Sequence, residues 1–280
     1  MSNRGARSVG WVMAAAVLYL GCSGHASGGT GDPWSTPAAD PYGTGSRITQ
    51  LIGPAPWESA ANVDSVNCQG MPVDHNVTLS GSTIVAIDRY DETGDGQLGN
   101  VYVQDSLLQP VPYSGIEIYN PGFSPPDLRV IEGDVVDVLG VLQEFAGPTT
   151  GPFTNCRTLP EIGGSMSFRF DGGYVPPTVI DVRDLTVYSK MRQWLGMVVT
   201  IENATLSDAP SESKGRFTVR LNVGGGVLES DIPSLSNELF DLKNSGLTFA
   251  AGDTFKSVTG VVTYFYSVHI APRSMADIVQ

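Results

Sequence analysis

The sequence predicts an all-β protein with minor α-helical content, folded as two tandem five-stranded Greek-key barrels that follow an N-terminal tether. Composition is the first reason, because 33 Gly and 19 Pro in 280 residues, with only 16% charged residues, disfavour helical bundles and coiled coils. The second reason is an internal repeat with a period of about 115 residues. A chain of this length suits two modest domains or one large all-β unit.

The repeat consists of a Gly-Asp turn that leads into a long β-rich segment. Gly133–Phe145 is echoed by Gly252–Phe265, with one extra residue between the glycines of the second copy. Each copy carries a glycine in mid-strand, Gly140 and Gly260, where a small barrel has to bend. Gly-Gly and Pro-Pro pairs between 172 and 177 mark the boundary between the copies.

The N-terminus has the pattern of an export signal. Arg4 and Arg7 precede the apolar run Val9–Leu20, which is too short to span a bilayer. The run ends in Leu18–Cys22, which resembles the bacterial lipobox, and this resemblance implies a lipid-anchored Cys22. Ser23 at the next position implies the outer membrane, with the protein periplasmic or surface-exposed. Ordinary secretion with an incidental Cys22 is the alternative.

The segment after Cys22 is rich in Gly and poor in apolar residues, which is typical of a flexible chain. The predicted segments are a signal peptide (1–21), a flexible tether (22–46), a first domain (47–171), a linker (172–185) and a second domain (186–280).

Each copy resembles the OB-fold domains that accompany secreted bacterial nucleases and recur in bacterial lipoproteins. The stretches that carry the resemblance are Gly99–Asp105, Tyr113–Tyr119 and Glu132–Phe145 in the first copy, and Gly252–Tyr266 and Ala271–Ile278 in the second. The nuclease catalytic domain has no counterpart in this chain, so the resemblance implies a module that is not an enzyme. Strand and turn signals of this kind indicate a fold better than a function.

Two segments between the predicted third and fourth strands differ between the copies. Ser234–Leu242 has capping residues and leucines at helical spacing, which predicts a helix. Asn120–Pro126 contains three prolines and is therefore predicted to form a loop.

An OB-fold usually binds its ligand on the outer face of strands two and three. Alternation along the strands sorts inward from outward side chains. The inward positions are Val101, Val103, Ile116 and Ile118 in the first copy and Phe217, Val219 and Leu221 in the second. The outward candidates for ligand contact are Tyr102, Gln104, Glu117 and Tyr119 in the first copy and Lys214, Arg216 and Arg220 in the second. Ordinary strand residues without a ligand are the alternative at each position.

Charge excludes partners better than it identifies one. The net charge is −13, and removal of Arg4 and Arg7 with the signal takes it to −15. Because affinity for nucleic acid comes largely from cations that displace counterions, this charge disfavours nucleic acid as a partner.

Few residues suggest redox, metal or cofactor chemistry. Cys68 and Cys156 form an even pair in an oxidising compartment, which predicts a disulfide, with two buried thiols as the alternative. The Gly94–Gly99 segment fits GxGxxG but precedes another strand, so we interpret it as a hairpin connection without a dinucleotide. Asp91–Asp95 resembles part of a calcium loop, but the twelfth position lacks the required Glu. No cofactor or metal is predicted.

The three histidines, His25, His75 and His269, are scattered along the sequence, and their spacing assembles no nucleophile with a base. We therefore expect no catalytic residues. The sequence favours a non-catalytic, membrane-anchored binding or structural module of the cell envelope, with an envelope protein or polymer as its ligand. The alternative is a nucleic-acid-binding accessory protein that acts outside the cell.

Overall fold

The computed structural model of the chain describes residues 45–53, 74–96, 98–124, 129–154 and 156–280. Within these ranges the regular structure is mainly β-strand, which confirms the all-β prediction. The first strands are β1 (His75–Ile87), β2 (Val101–Asp105), β3 (Gly115–Ser124), β4 (Asp134–Phe145) and β5 (Leu159–Gly172). The later strands are β6 (Thr178–Val179), β7 (Val198–Thr205), β8 (Ser211–Ser213), β9 (Arg216–Arg220), β10 (Ser234–Ser236), β11 (Thr254–Phe265), β12 (Ser267–Ala271) and β13 (Ile278–Val279).

Helical structure in the described ranges is short. The α-helices are α1 (Ile48–Leu51) and α2 (Tyr188–Met191), and the 3₁₀ turns are Val182–Leu185, Arg192–Trp194, Glu229–Asp231 and Met275–Asp277. Of these helices, none is both long and apolar enough to cross a lipid bilayer.

Strands β1 to β5 close into a barrel in the order β1-β2-β3-β5-β4. The β3–β5 pair is parallel and the other pairs are antiparallel, which is the arrangement of an OB-fold barrel. The inward positions predicted from alternation are confirmed, because Val101, Val103, Ile116 and Ile118 all lie in the barrel core.

Helix α1 closes one end of this barrel. Ile48 and Ile52 are buried in the barrel core. The carboxylate of Asp105, at the end of β2, accepts hydrogen bonds from the backbone N–H groups of Ile48 (2.8 Å) and Thr49 (3.1 Å). An acidic side chain therefore satisfies the free N–H groups at the start of the helix.

The repeated mid-strand glycines lie where neighbouring backbones approach closely. A Cβ atom at Gly140 would lie 2.5 Å from the carbonyl oxygen of Gly163, and one at Gly260 would lie 2.7 Å from the backbone of Ala271. Both positions therefore exclude any side chain, which explains why the repeat keeps glycine there.

Strands β6 to β13 form a second, eight-stranded sheet with the path β6-β7-β11-β12-β10-β9-β8, and β13 pairs with β11. The parallel β10–β12 pair corresponds to β3–β5 of the barrel. An isolated bridge joins Leu206 to Leu221, and the N–H of Asn222 donates to the carbonyl oxygen of Thr205 at 2.7 Å. The strand path itself stays open, so a second closed barrel remains a prediction.

Both sheets belong to one compact unit and pack directly against each other. Their shared apolar cluster contains Val85, Ala86, Tyr102, Val175, Val198, Leu239, Val261 and Ala271. Gly115 of β3 and Gly196 meet so closely that a Cβ atom at Gly115 would lie 2.5 Å from the Gly196 carbonyl carbon. The backbones of the two halves are therefore in direct contact.

A buried ion pair also joins the two halves. Arg192 contacts both carboxylate oxygens of Glu144, at 2.9 and 2.6 Å, and its side chain is 1% exposed. Thr158 and Tyr188 complete the cluster, since the backbone N–H of Thr158 donates to the Tyr188 hydroxyl at 2.7 Å. Such a pair is costly to break on one side only.

The predicted helix over Ser234–Leu242 is wrong. Ser234 to Ser236 form β10, and Leu235 pairs with Val219 on one side and with Ile270 on the other. Leu239 faces the cluster between the sheets, whereas Leu235 and Leu242 face the core of the second sheet. The leucines are buried in different places, so their helical spacing does not reflect one helix face.

The predicted loop over Asn120–Pro126 is also wrong for the part that the structure describes. Strand β3 continues to Ser124 and pairs with β5 on both sides of an irregularity between Tyr119 and Gly122. This β-bulge accommodates Pro121, which cannot donate to a ladder.

Several predicted features lie outside the described residues. They are the signal segment, the lipidation site Cys22, most of the tether, His25 and Cys68. Cys156 is buried. The lipid anchor and the Cys68–Cys156 disulfide therefore stay predictions. Ser46, the last residue of the predicted tether, forms an isolated bridge with Leu79 of β1.

Candidate functional site

A cleft of about 480 Å³ opens between the barrel and the second sheet. Its carboxyl groups come from Asp88, Glu92, Asp95, Glu117, Glu161 and Glu238. Its aromatic and aliphatic walls come from Tyr102, Tyr119, Phe145, Leu159, Leu239, Tyr264 and Phe265. The remaining polar groups are Thr93, Asn100, Gln143, Arg216 and Thr263. We call this site the acidic cleft, and its size is typical of a small-molecule site.

One wall of the acidic cleft is a row of side chains across four strands of the barrel. Tyr102 of β2 lies opposite Glu117 of β3, Glu117 lies opposite Glu161 of β5, and Glu161 lies opposite Gln143 of β4. Outward side chains of residues that pair across adjacent strands are neighbours, so the strand register alone aligns these four side chains. Asn100 donates from Nδ2 to Oε1 of Glu117 at 2.7 Å, and Gln143 donates to Glu161.

Two carboxyl groups side by side in this row disfavour each other's ionisation. Burial, together with the charges of Glu161 and Glu238, raises the pKa of Glu117 to about 8. Burial also raises the pKa of Glu161, although the Gln143 amide opposes this effect. At neutral pH the Glu117 carboxyl therefore retains its proton.

The opposite wall holds an ionised carboxylate. Burial alone would raise the pKa of Glu238, but the charge and hydrogen bond of His269 outweigh it and lower the pKa. Oε1 of Glu238 lies 2.8 Å from Nδ1 of His269, and Thr263 donates to the other oxygen. Glu238 is therefore held as an ionised carboxylate by His269 and Thr263.

Arg216 brings a guanidinium group to the edge of the cleft. Its Cζ lies 4.2 Å from the centroid of the Phe265 ring, and Nη2 lies 3.6 Å from a carboxylate oxygen of Glu92. Burial raises the pKa of Glu92, and burial with the charges of Glu92 and Glu238 raises the pKa of Asp88 to about 7. The cleft thus accommodates a planar cation between a ring and a carboxylate.

The loop before β2 closes the acidic side of the cleft. The Asp91 carboxylate accepts backbone N–H groups from Gly94 (2.8 Å), Asp95 (3.1 Å) and Gly96 (2.8 Å). Its oxygens therefore hold the turn, and this use competes with a calcium ion. Across the described ranges, the His, Cys, Asp and Glu side chains form no group of three or more that could hold a metal ion.

The structure distributes the predicted ligand-face residues over several places. Tyr102, Glu117, Tyr119 and Arg216 line the acidic cleft, although Tyr102 and Glu117 are only 6% and 5% exposed. Tyr102 and Glu117 point away from the barrel core, as alternation predicts, but the second sheet covers them, whereas Tyr119 is exposed.

Three candidates lie elsewhere. Gln104 is fully buried and accepts a hydrogen bond from the Val198 N–H at 2.7 Å, so it joins the sheets and is closed to a ligand. Lys214 lines a neighbouring groove. Arg220 is paired with Glu229 (2.8 Å) and lies 3.9 Å from Asp208, which neutralises the basic face predicted there.

Sequence reasoning missed the rest of the cleft. Glu161 and Gln143 occupy outward positions that alternation alone could have identified, but their alignment with Glu117 depends on strand register, which the sequence does not specify. Asp88 and Glu238 come from connections in the two halves, so their approach depends on how the sheets pack. No sequence signal reports that contact.

Comparison with known proteins adds little to this geometry. No protein-family model and no curated protein matches the chain. Among solved structures, the chain is similar to a wild-type single-stranded DNA binding protein from Thermus aquaticus, with 16% identity over 72% of this chain and 91% of that one, at a TM-score of 0.19. The fold and the site define the class of the protein. It is a β-protein in which an OB-type barrel packs against a second sheet, and the acidic cleft lies between the two.

Proposed function

We propose that the protein is a binding module of the cell envelope that takes a small organic cation, with an ammonium or guanidinium group, into the acidic cleft. The observation that carries the proposal is the composition of the cleft, where six carboxyl groups face a single guanidinium among the described lining residues. Carboxylates beside aromatic rings are the chemistry that binds such cations.

Arg216 supports this choice of ligand. The guanidinium of Arg216 stacks on Phe265 beside Glu92. The lining of the cleft therefore already binds a group of the same chemistry as the proposed ligand. Nucleic acid is a poorer candidate because phosphate groups would face the carboxyl groups of the cleft, and Arg220 is already paired.

The proposal includes two features that come from the sequence. A lipid on Cys22 would hold the module at the outer membrane, and the second sheet would act as a second OB-like barrel, which the Leu206–Leu221 bridge favours. Labelling of cells with a radioactive fatty acid tests the anchor. Incorporation should be lost in Cys22→Ser, and equal labelling of both proteins would refute the anchor.

The ligand class is tested by calorimetry with the Nα-acetylated forms of L-arginine amide and L-citrulline amide on the full chain, because acetylation removes the α-ammonium charge from both probes. These probes have similar planar head groups that differ in charge. We expect arginine amide to bind and citrulline amide to bind at least tenfold more weakly, because a charge-assisted hydrogen bond contributes about 1.5–3 kcal/mol. Equal binding of both probes, or binding of neither, would overturn the proposal.

Two variants assign the binding to the cleft. Glu161→Gln should weaken arginine amide about tenfold, whereas Glu202→Gln, an exposed carboxyl on β7, should leave the affinity unchanged. The affinity should rise with pH between 6 and 9, because Asp88 and Glu117, with pKa values of about 7 and 8, lose their protons and then attract a cation. A flat pH dependence would contradict the involvement of these two groups.

A further inference from the structure

A second depression adjoins the acidic cleft and shares Thr93, Asp95, Arg216 and Phe265 with its lining. It has a volume of about 710 Å³, and its lining includes Lys214, Tyr266 and His269. The β11–β12 hairpin forms one edge, and its turn residue Tyr266 adopts a left-handed conformation with φ of 61°. Such a conformation is uncommon for a bulky residue and tends to occur at functional sites.

A hydroxyl and an imidazole on the hairpin are aligned with the carboxylate of Glu238, which follows β10. Oγ of Ser267 lies 2.9 Å from Nε2 of His269, and Nδ1 of His269 lies 2.8 Å from Oε1 of Glu238. Ser267 and His269 are two positions apart on β12, so their side chains share one face of the strand. In the neutral imidazole, Nδ1–H donates to Glu238, which leaves Nε2 to accept the hydroxyl proton of Ser267.

The three groups differ in burial in a way that suits catalysis. Glu238 and His269 are held in place, with side-chain exposures of 14% and 6%, and Thr263 fixes the second oxygen of Glu238. Ser267 is only partly buried, and its chain neighbour Tyr266 and its hydrogen-bond partner His269 both line the groove. A fixed carboxylate, an oriented imidazole and a partly exposed hydroxyl are the parts of an activated serine.

We propose that Ser267 is a nucleophile for acyl transfer, with His269 as its general base and Glu238 as the group that orients the imidazole, and that the groove accepts a small carboxylic ester. The assignment goes beyond ligand binding and departs from the expectation that the chain has no catalytic residues. Lys214 and Arg216 line the same groove and supply positive charge for the oxyanion that forms during the reaction.

The reaction balances without any further reagent except water. Oγ of Ser267 bonds to the ester carbonyl carbon while its proton passes to Nε2 of His269. The C–O bond of the ester then breaks, and the alkoxide leaves with that proton as an alcohol. Water, deprotonated by His269, attacks the acyl-serine, which releases the carboxylic acid and restores the hydroxyl of Ser267.

The test is covalent labelling of the full chain with a fluorophosphonate, in which Oγ replaces fluoride on phosphorus. We expect a single label that peptide mass spectrometry locates on Ser267. Ser267→Ala should abolish it, and His269→Gln should slow it about 100-fold or more, as for loss of a general base. Ser257→Ala, a matched serine on β11 away from the groove, should react at the wild-type rate. The probe carries no cation, so its outcome is independent of the acidic-cleft proposal.

Failure is defined by the same measurement. An unlabelled wild-type protein, a label on another residue, or unchanged labelling of Ser267→Ala would overturn the proposal. Because His269 is buried and its replacement could unfold the chain, Ser267→Cys gives a second readout that keeps the imidazole. Its thiol should react with iodoacetamide at least tenfold faster at pH 7 than a thiol introduced at Ser257, and equal rates would refute activation by His269.

Discussion

Replacement of Glu117 by Gln tests whether the barrel holds a protonated carboxyl in its outer row. Glutamine retains an oxygen that accepts the amide hydrogen bond from Asn100, but it cannot ionise. The pKa of Glu117 lies at about 8 in the folded protein because the residue is buried and faces Glu161, whereas its usual value is 4.5. Between these values the folded state binds a proton that the unfolded state has lost.

The wild-type protein should therefore lose stability, relative to the variant, as pH rises from 4.5 to 8, and the difference should level off above 8. A change of one pKa unit corresponds to about 1.36 kcal/mol, so the difference at pH 9 is on the order of 5 kcal/mol in favour of Glu117→Gln. At pH 4 the two proteins should be about equally stable.

Urea unfolding of both proteins at several pH values between 4 and 9 gives this difference directly. Glu202→Gln serves as the control, because its carboxyl is exposed on β7 and should leave no such pH dependence. A stability difference between wild type and Glu117→Gln that stays constant from pH 5 to 9 would refute the assignment of a buried, protonated Glu117.

The remaining predictions concern the contacts that join the two halves. Arg192→Met should lower the free energy of unfolding, measured in urea, by about 3–5 kcal/mol, because it leaves the Glu144 carboxylate buried without a cation. The double variant with Glu144→Met should recover much of this loss. A double variant as unstable as the single one would contradict the explanation. Gly115→Ala should lower the melting temperature by several degrees because its Cβ would strike the Gly196 backbone, with a cost of about 1–3 kcal/mol. Gly163→Ala, where a Cβ meets nothing within 4 Å, is the matched control, and equal melting of both variants would rule out the contact.

Much of the barrel could be predicted from the sequence, because local sequence patterns indicate its strands and its core residues. Alternation along β2 and β3 identified Val101 and Ile116 as core residues, and the Gly-Asp turns located the two long strands. The outward orientation of Tyr102 followed from the same alternation. Its burial did not, because the cover over it belongs to the other half of the chain.

The errors have one physical origin. Leu235 has the spacing of a helix residue, but hydrogen bonding to two neighbouring strands overrides that local preference. The acidic cleft was missed for a related reason, since Glu161 and Glu238 are more than seventy residues apart and meet only when the sheets dock. Local patterns specify which way a side chain points, but they do not specify what will lie in front of it.

The buried position of Gln104 makes the two halves of the chain depend on each other. In a solitary OB-type barrel this surface would be free to recognise a partner, yet here it serves as a joint that anchors Val198 of the neighbour. Because residues of both halves line the acidic cleft, either half alone would lose the cleft and would expose the shared apolar cluster to water.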